Sequence, residues 1–154
     1  MLNTGIQIPD SAVHAHKDVR EKKRYAVIYH ITPQGVEPLK FFPEGDLLPK
    51  DDISVYQTFK DKVFQEVYSE IIQSEKPLFV SLDLKSYGSS GRLLSKLLLI
   101  LWCPEKSKIK DKMVAASTFG ALGGKFNGTK KIQVNDAVQL TYEYLCTTSF
   151  QGDN

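Results

Sequence analysis

The stretch from Leu97 to Asn127, LLLILWCPEKSKIKDKMVAASTFGALGGKFN, constrains this chain more than any other. It opens with the apolar run Leu97 to Trp102, breaks at Cys103-Pro104, and passes through a lysine-rich segment into a helical pattern that ends among glycines. A short apolar run bounded by polar breakers predicts a strand buried on both faces. Pro104 lacks the N–H that a central strand needs, so the strand stops before it. Ser107 is placed to cap the helix, and Gly123, Gly124 and Gly128 to end it. At about 100° per residue, Val114, Ala115, Thr118, Ala121 and Leu122 gather on one side, the expected partner of a sheet. Lys112, Met113, Ala116, Ser117 and Gly120 gather on the other. A solvated helix face normally carries long charged side chains. This one offers one lysine, an adaptable thioether and three small residues, which let another surface come close. It reads as a docking face for a protein.

The rest of the chain supplies a frame for that helix. Pro9 to Lys23 reads as a first helix, with Asp10 or Ser11 as cap. Tyr25–Ile31 and Val36–Phe42 read as a hairpin, with Pro38 placing the second strand at an edge. From Ser54 to Ser74, Val55, Phe59, Val63, Val67 and Ile71 recur every four residues and predict one long helix with an aromatic-rich core face. Leu78–Leu84 and Arg92–Trp102 read as a second hairpin. Lys130–Val134 is a short strand, and Asp136 caps a last helix over Ala137–Cys146. Helix, hairpin, helix, hairpin, helix, strand, helix predicts an α/β domain: a mixed central sheet of four to five strands flanked by helices on both faces.

Composition narrows the class. The 154 residues suit one domain, with residues 1–8 as a flexible N-terminal arm and 147–154 as a polar tail. A net charge of +2 does not call for nucleic acid. Two cysteines, Cys103 and Cys146, are too few for a disulfide framework. No stretch reaches the length of a membrane span and no apolar signal region opens the chain, so the expectation is a cytoplasmic protein. His14 and His16 lack acidic or thiol neighbours at metal-ligand spacing, and no metal or other cofactor is expected. The run Arg20-Glu21-Lys22-Lys23-Arg24 suits a solvated helix end. Cys103 beside Lys106 and Lys108 is the one candidate for a cysteine-dependent enzyme. Position 109 is Ile, so no Cys-x5-Arg phosphate loop exists, and the chain does not read as an enzyme.

The segment WCPEKSKIKDKMVAASTFGAL resembles the signature of the ADF/cofilin family. That pattern is a strand ending in Trp-x-Pro-(Asp/Glu), then Lys-x-Lys-Met-x-x-Ala-Ser, then Ala-Leu. Trp102, Pro104, Glu105, Lys110, Lys112, Met113, Ala116, Ser117, Ala121 and Leu122 fit it. The resemblance implies a single domain of the actin-depolymerising-factor homology fold. It implies a monomeric, non-enzymatic protein that binds actin monomers, preferably ADP-bound, and promotes filament depolymerisation and turnover. Lys110, Lys112, Met113, Ala116 and Ser117 would form the monomer site, with Thr4, Gly5 and Ile6 as a clamping arm and Thr4 at the position of the family's phosphorylated serine. Arg92, Lys96 and Glu143 would form a filament site. Phosphoinositides would compete for the same lysines, and the basic run at Arg20–Arg24 matches a nuclear-targeting patch, so nuclear entry is implied beside a cytoskeletal location. The last helix departs from the family pattern: no Lys or Arg follows Lys131. Weak severing is therefore expected, with an adapter of the same fold that has lost actin as the alternative.

Overall fold

The computed structural model describes residues 5–48, 53–87 and 91–150. Its centre is a five-stranded sheet in the order β2-β1-β3-β4-β5. The strands are β1 Ala26–Thr32, β2 Gly35–Phe42, β3 Leu78–Tyr87, β4 Leu93–Trp102 and β5 Lys130–Val134. The first four pair antiparallel, and β5 lies parallel to β4, with Ile100 opposite Ile132. The sheet is mixed, as expected. β2 is an edge strand, where Pro38 is tolerated, and a bulge displaces Leu39 from its pairing with β1.

Helices cover both faces because successive strand residues point to opposite sides. Leu98, Ile100 and Trp102 of β4 enter one core with Ile28, Val80 and Leu82, whereas Leu99, Leu101 and Cys103 enter the other with Val27, Tyr29 and Phe79. The first core lies under α3 (Phe64–Ile72) and α5 (Tyr142–Ser149), the second under α1 (Asp10–Arg20) and α4 (Ile109–Lys125); α2 (Ile53–Thr58) buries no residue.

The single helix expected over Ser54–Ser74 is interrupted. A π-helical turn, Phe59–Val63, separates α2 from α3. A repeat of four residues drifts off one face of a helix with 3.6 residues per turn. The wider turn absorbs that drift, and the buried positions become Phe59, Phe64, Val67 and Ile71 rather than a run through Val63.

Caps and ends also differ from expectation. Pro9 and Lys108 are the N-cap residues of α1 and α4, and neither makes a side-chain cap bond, so Asp10, Ser11 and Ser107 do not serve in that role. Asp136 accepts from the Gln139 N–H, 3.0 Å away, and caps a 3-10 turn at Val138–Leu140; the last helix starts later, capped by the Thr141 hydroxyl, and runs to Ser149. Residues 147–150 therefore belong to the fold rather than to a tail, and Phe150 is buried. Residues 5–8 are likewise not a free arm. Ile6 and Ile8 pack on the second core, and the Val36 N–H donates to the Gln7 carbonyl at 2.9 Å. Gly35 permits this approach: its φ is +124°, and a Cβ there would meet the Gln7 backbone.

His16 is a core residue at 1% exposure. Its Nε2 lies 3.1 Å from the Asn127 carbonyl and its Nδ1 2.9 Å from the Ser81 hydroxyl. A carbonyl only accepts, so Nε2 carries the proton, Nδ1 accepts from Ser81, and the Ser81 oxygen, 2.9 Å from the Tyr29 hydroxyl, takes that proton. Burial holds His16 below its ordinary value of 6.5, the Asn127 carbonyl opposes this, and Arg20 adds to it. The folded protein thus keeps His16 neutral where the unfolded chain takes a proton. Stability should be full above about pH 6.5 and fall as the pH drops through that value. Thermal unfolding between pH 8 and 5 checks this. His16→Leu should flatten the slope, and a variant whose melting temperatures fall in parallel with those of the parent would refute it.

Candidate functional site

The α4 helix is positioned from three sides before it presents anything. The Trp102 indole N–H donates to the Ser74 carbonyl at 3.0 Å, and the Ser107 hydroxyl to the Glu75 carbonyl at 2.7 Å. The Cys103 N–H donates to the Val134 carbonyl at 2.9 Å, which ties the strand end to β5. Along the helix, Ala115, Thr118, Phe119 and Leu122 are buried. Ala121 was expected among them and is exposed; Phe119 takes the sheet side instead, its ring stacked over Phe79 with centroids 6.4 Å apart. A large ring gains more from burial than a methyl group, and this rotates the contact face.

The opposite side is open. Met113 is 56% exposed and Ile109 76%. Lys110, Ala116 and Gly120 are exposed, and Lys112 and Ser117 half-buried. Lys112, Met113 and Ala116 line a groove of about 370 Å³ with Cys103, Glu105, Gln133 and Asn135. The Lys112 ammonium lies 3.8 Å from the Glu105 carboxylate. The groove sets the Met113 thioether beside the charged Lys112–Glu105 pair and the amides of Gln133 and Asn135. Towards the end of α4, Lys131 crosses the helix at Gly123, its ammonium 4.7 Å from the Phe119 ring centre. A Cβ at Gly123 would come within 3.2 Å of that lysine.

Gly5 and Ile6 lie on the same side of the sheet as α4, with Gly5 exposed and Ile6 half-buried. Thr4 lies outside the described residues. The three filament-site candidates fall elsewhere. Arg92 is exposed just before β4, and Lys96 is half-buried opposite Leu84. Glu143 stands in the first turn of α5 with its carboxylate 3.0 Å from the Lys60 ammonium. The pair holds the lysine above and the carboxylate below their ordinary values. Lys60 had no signal in the sequence, because 82 residues lie between it and Glu143. Ile109, Gln133 and Asn135 were also not assigned; an apolar residue at the first position of a lysine-rich helix was the available sign for Ile109.

Other candidates resolve differently. Burial pushes the Cys103 thiol up, Lys112 opposes this and Glu105 reinforces it, so the thiol is not poised as a nucleophile. Within the basic run, Lys22 pairs with Asp83 at 3.4 Å and Arg24 with Asp18 at 3.8 Å. Asp83 also holds the buried Lys85 at 2.8 Å. Among the described residues no cluster of His, Cys, Asp or Glu has the geometry of a metal site, and no helix is long and apolar enough to cross a membrane.

The fold is a mixed five-stranded sheet covered by helices on both faces, with one side of α4 left open beside the groove at Lys112. Its family follows from comparison with known proteins. Residues 5–148 match the family described as cofilin/tropomyosin-type actin-binding protein, and the chain belongs to that family. Cofilin of Eremothecium gossypii is 27% identical over 146 residues, spanning 93% of this chain and 91% of the relative. Cofilin of Saccharomyces cerevisiae is 25% identical over the same shares. Among solved structures, actin depolymerization factor 2 of Plasmodium berghei superposes with a TM-score of 0.77 at 18% identity, over 96% of this chain and 98% of that one. ADF/cofilin of Trypanosoma brucei gives 0.67 at 25% identity over 96% of both.

Proposed function

We propose that this protein binds actin monomers, preferably ADP-bound, through the open half of α4, and that it promotes filament depolymerisation with little severing. One observation carries the reading: Met113, 56% exposed, stands in a groove rimmed by Lys112 on the very helix that bears the family signature. Met113 serves as the apolar anchor. Lys110 and Lys112 meet acidic groups of actin and speed encounter. Ala116, Ser117 and Gly120 let the two backbones approach. Gly5 and Ile6 clamp alongside, and a phosphate on Thr4 would weaken binding by adding nearly two negative charges beside an acidic partner. Anionic phosphoinositide headgroups compete for the same lysines. The protein acts as a monomer in the cytoplasm and needs no cofactor.

The test is direct. The protein is mixed with ADP-actin monomers and with preformed filaments, and nucleotide exchange and pelleting are measured. Slowed exchange and increased unpelleted actin, with few new filament ends, are expected. Absence of binding to either form would overturn the reading and leave an adapter of the same fold.

A further inference from the structure

The two edges of the sheet end differently. At β2 the Val36 N–H is taken by the Gln7 carbonyl at 2.9 Å, and Pro38 with the adjoining bulge interrupts the row of donors. At β5 the row is intact. The Cys103 N–H donates to the Val134 carbonyl at 2.9 Å, so Val134 turns its polar groups toward β4. The N–H and C=O of one strand residue point the same way, and those of the next residue point the opposite way. Ile132 and Lys130 therefore also face β4, and Lys131 and Gln133 each turn an N–H and a C=O away from the sheet. Among the described residues nothing pairs with these outward groups. The open row stops at Asn135, whose N–H donates to the Gln139 Oε1 at 2.8 Å.

The side chains along this edge are cationic or polar. Lys131 lies on the α4 side, its ammonium 4.7 Å from the centre of the Phe119 ring, and Gln133 lines the groove beside Met113. Lys130 reaches to the other side, where its ammonium donates to the Thr148 carbonyl at 2.9 Å. All three residues are exposed, as is Lys125 at the end of α4. From Lys112 to Asn135 the chain carries four lysines and no acid. Asp136, past the open row, accepts from the Gln139 N–H at 3.0 Å, Glu105 lies 3.8 Å from Lys112, and Asp153 falls outside the described residues. Lysines on an exposed edge oppose pairing with a second copy of the same strand. The same charges favour a strand that carries carboxylates.

We propose that β5 is a docking edge for an extended acidic segment of a partner protein, which adds as a sixth strand and sets its carboxylates against Lys125, Lys130 and Lys131. Backbone bonds to Lys131 and Gln133 supply affinity, and the side chains choose the partner, as in strand addition generally. The inference goes beyond the actin reading and does not depend on it, since the backbone groups involved belong to β5 and not to α4.

The test uses the full chain and a short fluorescent peptide of alternating Glu and Val, followed by anisotropy and by amide hydrogen exchange. The parent should bind this peptide, with slowed exchange at Lys131 and Gln133, and should not bind a Lys-Val peptide of equal length. Gln133→Pro removes one outward N–H and leaves the bonds to β4, a position where an edge strand tolerates proline. It should weaken the peptide about tenfold. Gln133→Val keeps that N–H and should bind as the parent does. Lys131→Gln should weaken binding several-fold and lower its salt dependence. Failure of the parent to bind the acidic peptide overturns the proposal, as does a folded Gln133→Pro that binds it like the parent. So does binding that inositol hexakisphosphate displaces and that leaves both amides exchanging as before, since the lysines would then be taking any polyanion. If Gln133→Pro lowers the melting temperature, exchange at the two amides in Gln133→Val decides: unslowed exchange with peptide bound overturns the strand addition.

Discussion

Replacing Lys112 and Met113 together by alanine should abolish monomer binding and leave the domain folded. Anchors at the centre of a docking surface cost at least about 2 kcal/mol each when truncated, and about 1.4 kcal/mol is tenfold in affinity. Two neighbouring anchors do not add strictly, so a loss of about a hundredfold or more is the expected scale. The fold has little stake in either side chain. Met113 is 56% exposed, and Lys112 pairs at 3.8 Å with Glu105, itself 87% exposed. Surface changes of this kind shift stability by about 0.5 kcal/mol or less. Inhibition of nucleotide exchange on ADP-actin is the readout, with thermal unfolding as the control. A folded double variant that still inhibits exchange at the parent's concentrations would remove the α4 face from the mechanism.

Phe126→Ala should produce the largest loss of stability. The ring is fully buried, stacked on His16 with centroids 4.5 Å apart and tilted against Tyr29 at 5.2 Å. Its N–H donates to the Leu122 carbonyl at 2.7 Å and closes α4. Emptying such a site costs the lost transfer energy and leaves a cavity, together about 3–5 kcal/mol. Domains of this size hold only about 5–15 kcal/mol in total. The effect should reach α4, because Phe126 joins the end of that helix to α1 through His16. Urea unfolding measures it. A midpoint shift worth under about 1 kcal/mol would show that neighbouring rings collapse into the space, and that Phe126 does not hold the helix end.

How much of this was legible beforehand depended on the range of the interactions involved. Leu97–Trp102 announced a doubly buried strand because its apolarity is unbroken, and β4 lies at the interior of the sheet with one core on each side. The open side of α4 was legible from residue types alone: a methionine and small residues on a helix side are visible without coordinates. Its inner face was misjudged by one residue, since Phe119 and Ala121 cannot be ranked by spacing but only by the rings they meet. The helix over Ser54–Ser74 looked regular because a four-residue repeat is nearly helical; the π turn appears only when the stripe must stay on one core. Capping was misread for a similar reason. Ser107, a good cap by type, spends its hydroxyl on the Glu75 carbonyl across a turn.

The sequence by itself determined the order of strands and helices and the membership of the family, because each rests on periodicity, turn chemistry or a motif within some twenty residues. Tertiary structure alone decided that His16 is a neutral core bridge, bonded to Ser81 and Asn127 across 65 and 111 residues. It alone set Lys60 beside Glu143 and drew residues 5–8 onto the edge of the sheet. Hydrogen bonds and ion pairs act over about 3 Å, and which distant side chains come that close follows from how the strands register and the helices pack, not from their neighbours along the chain.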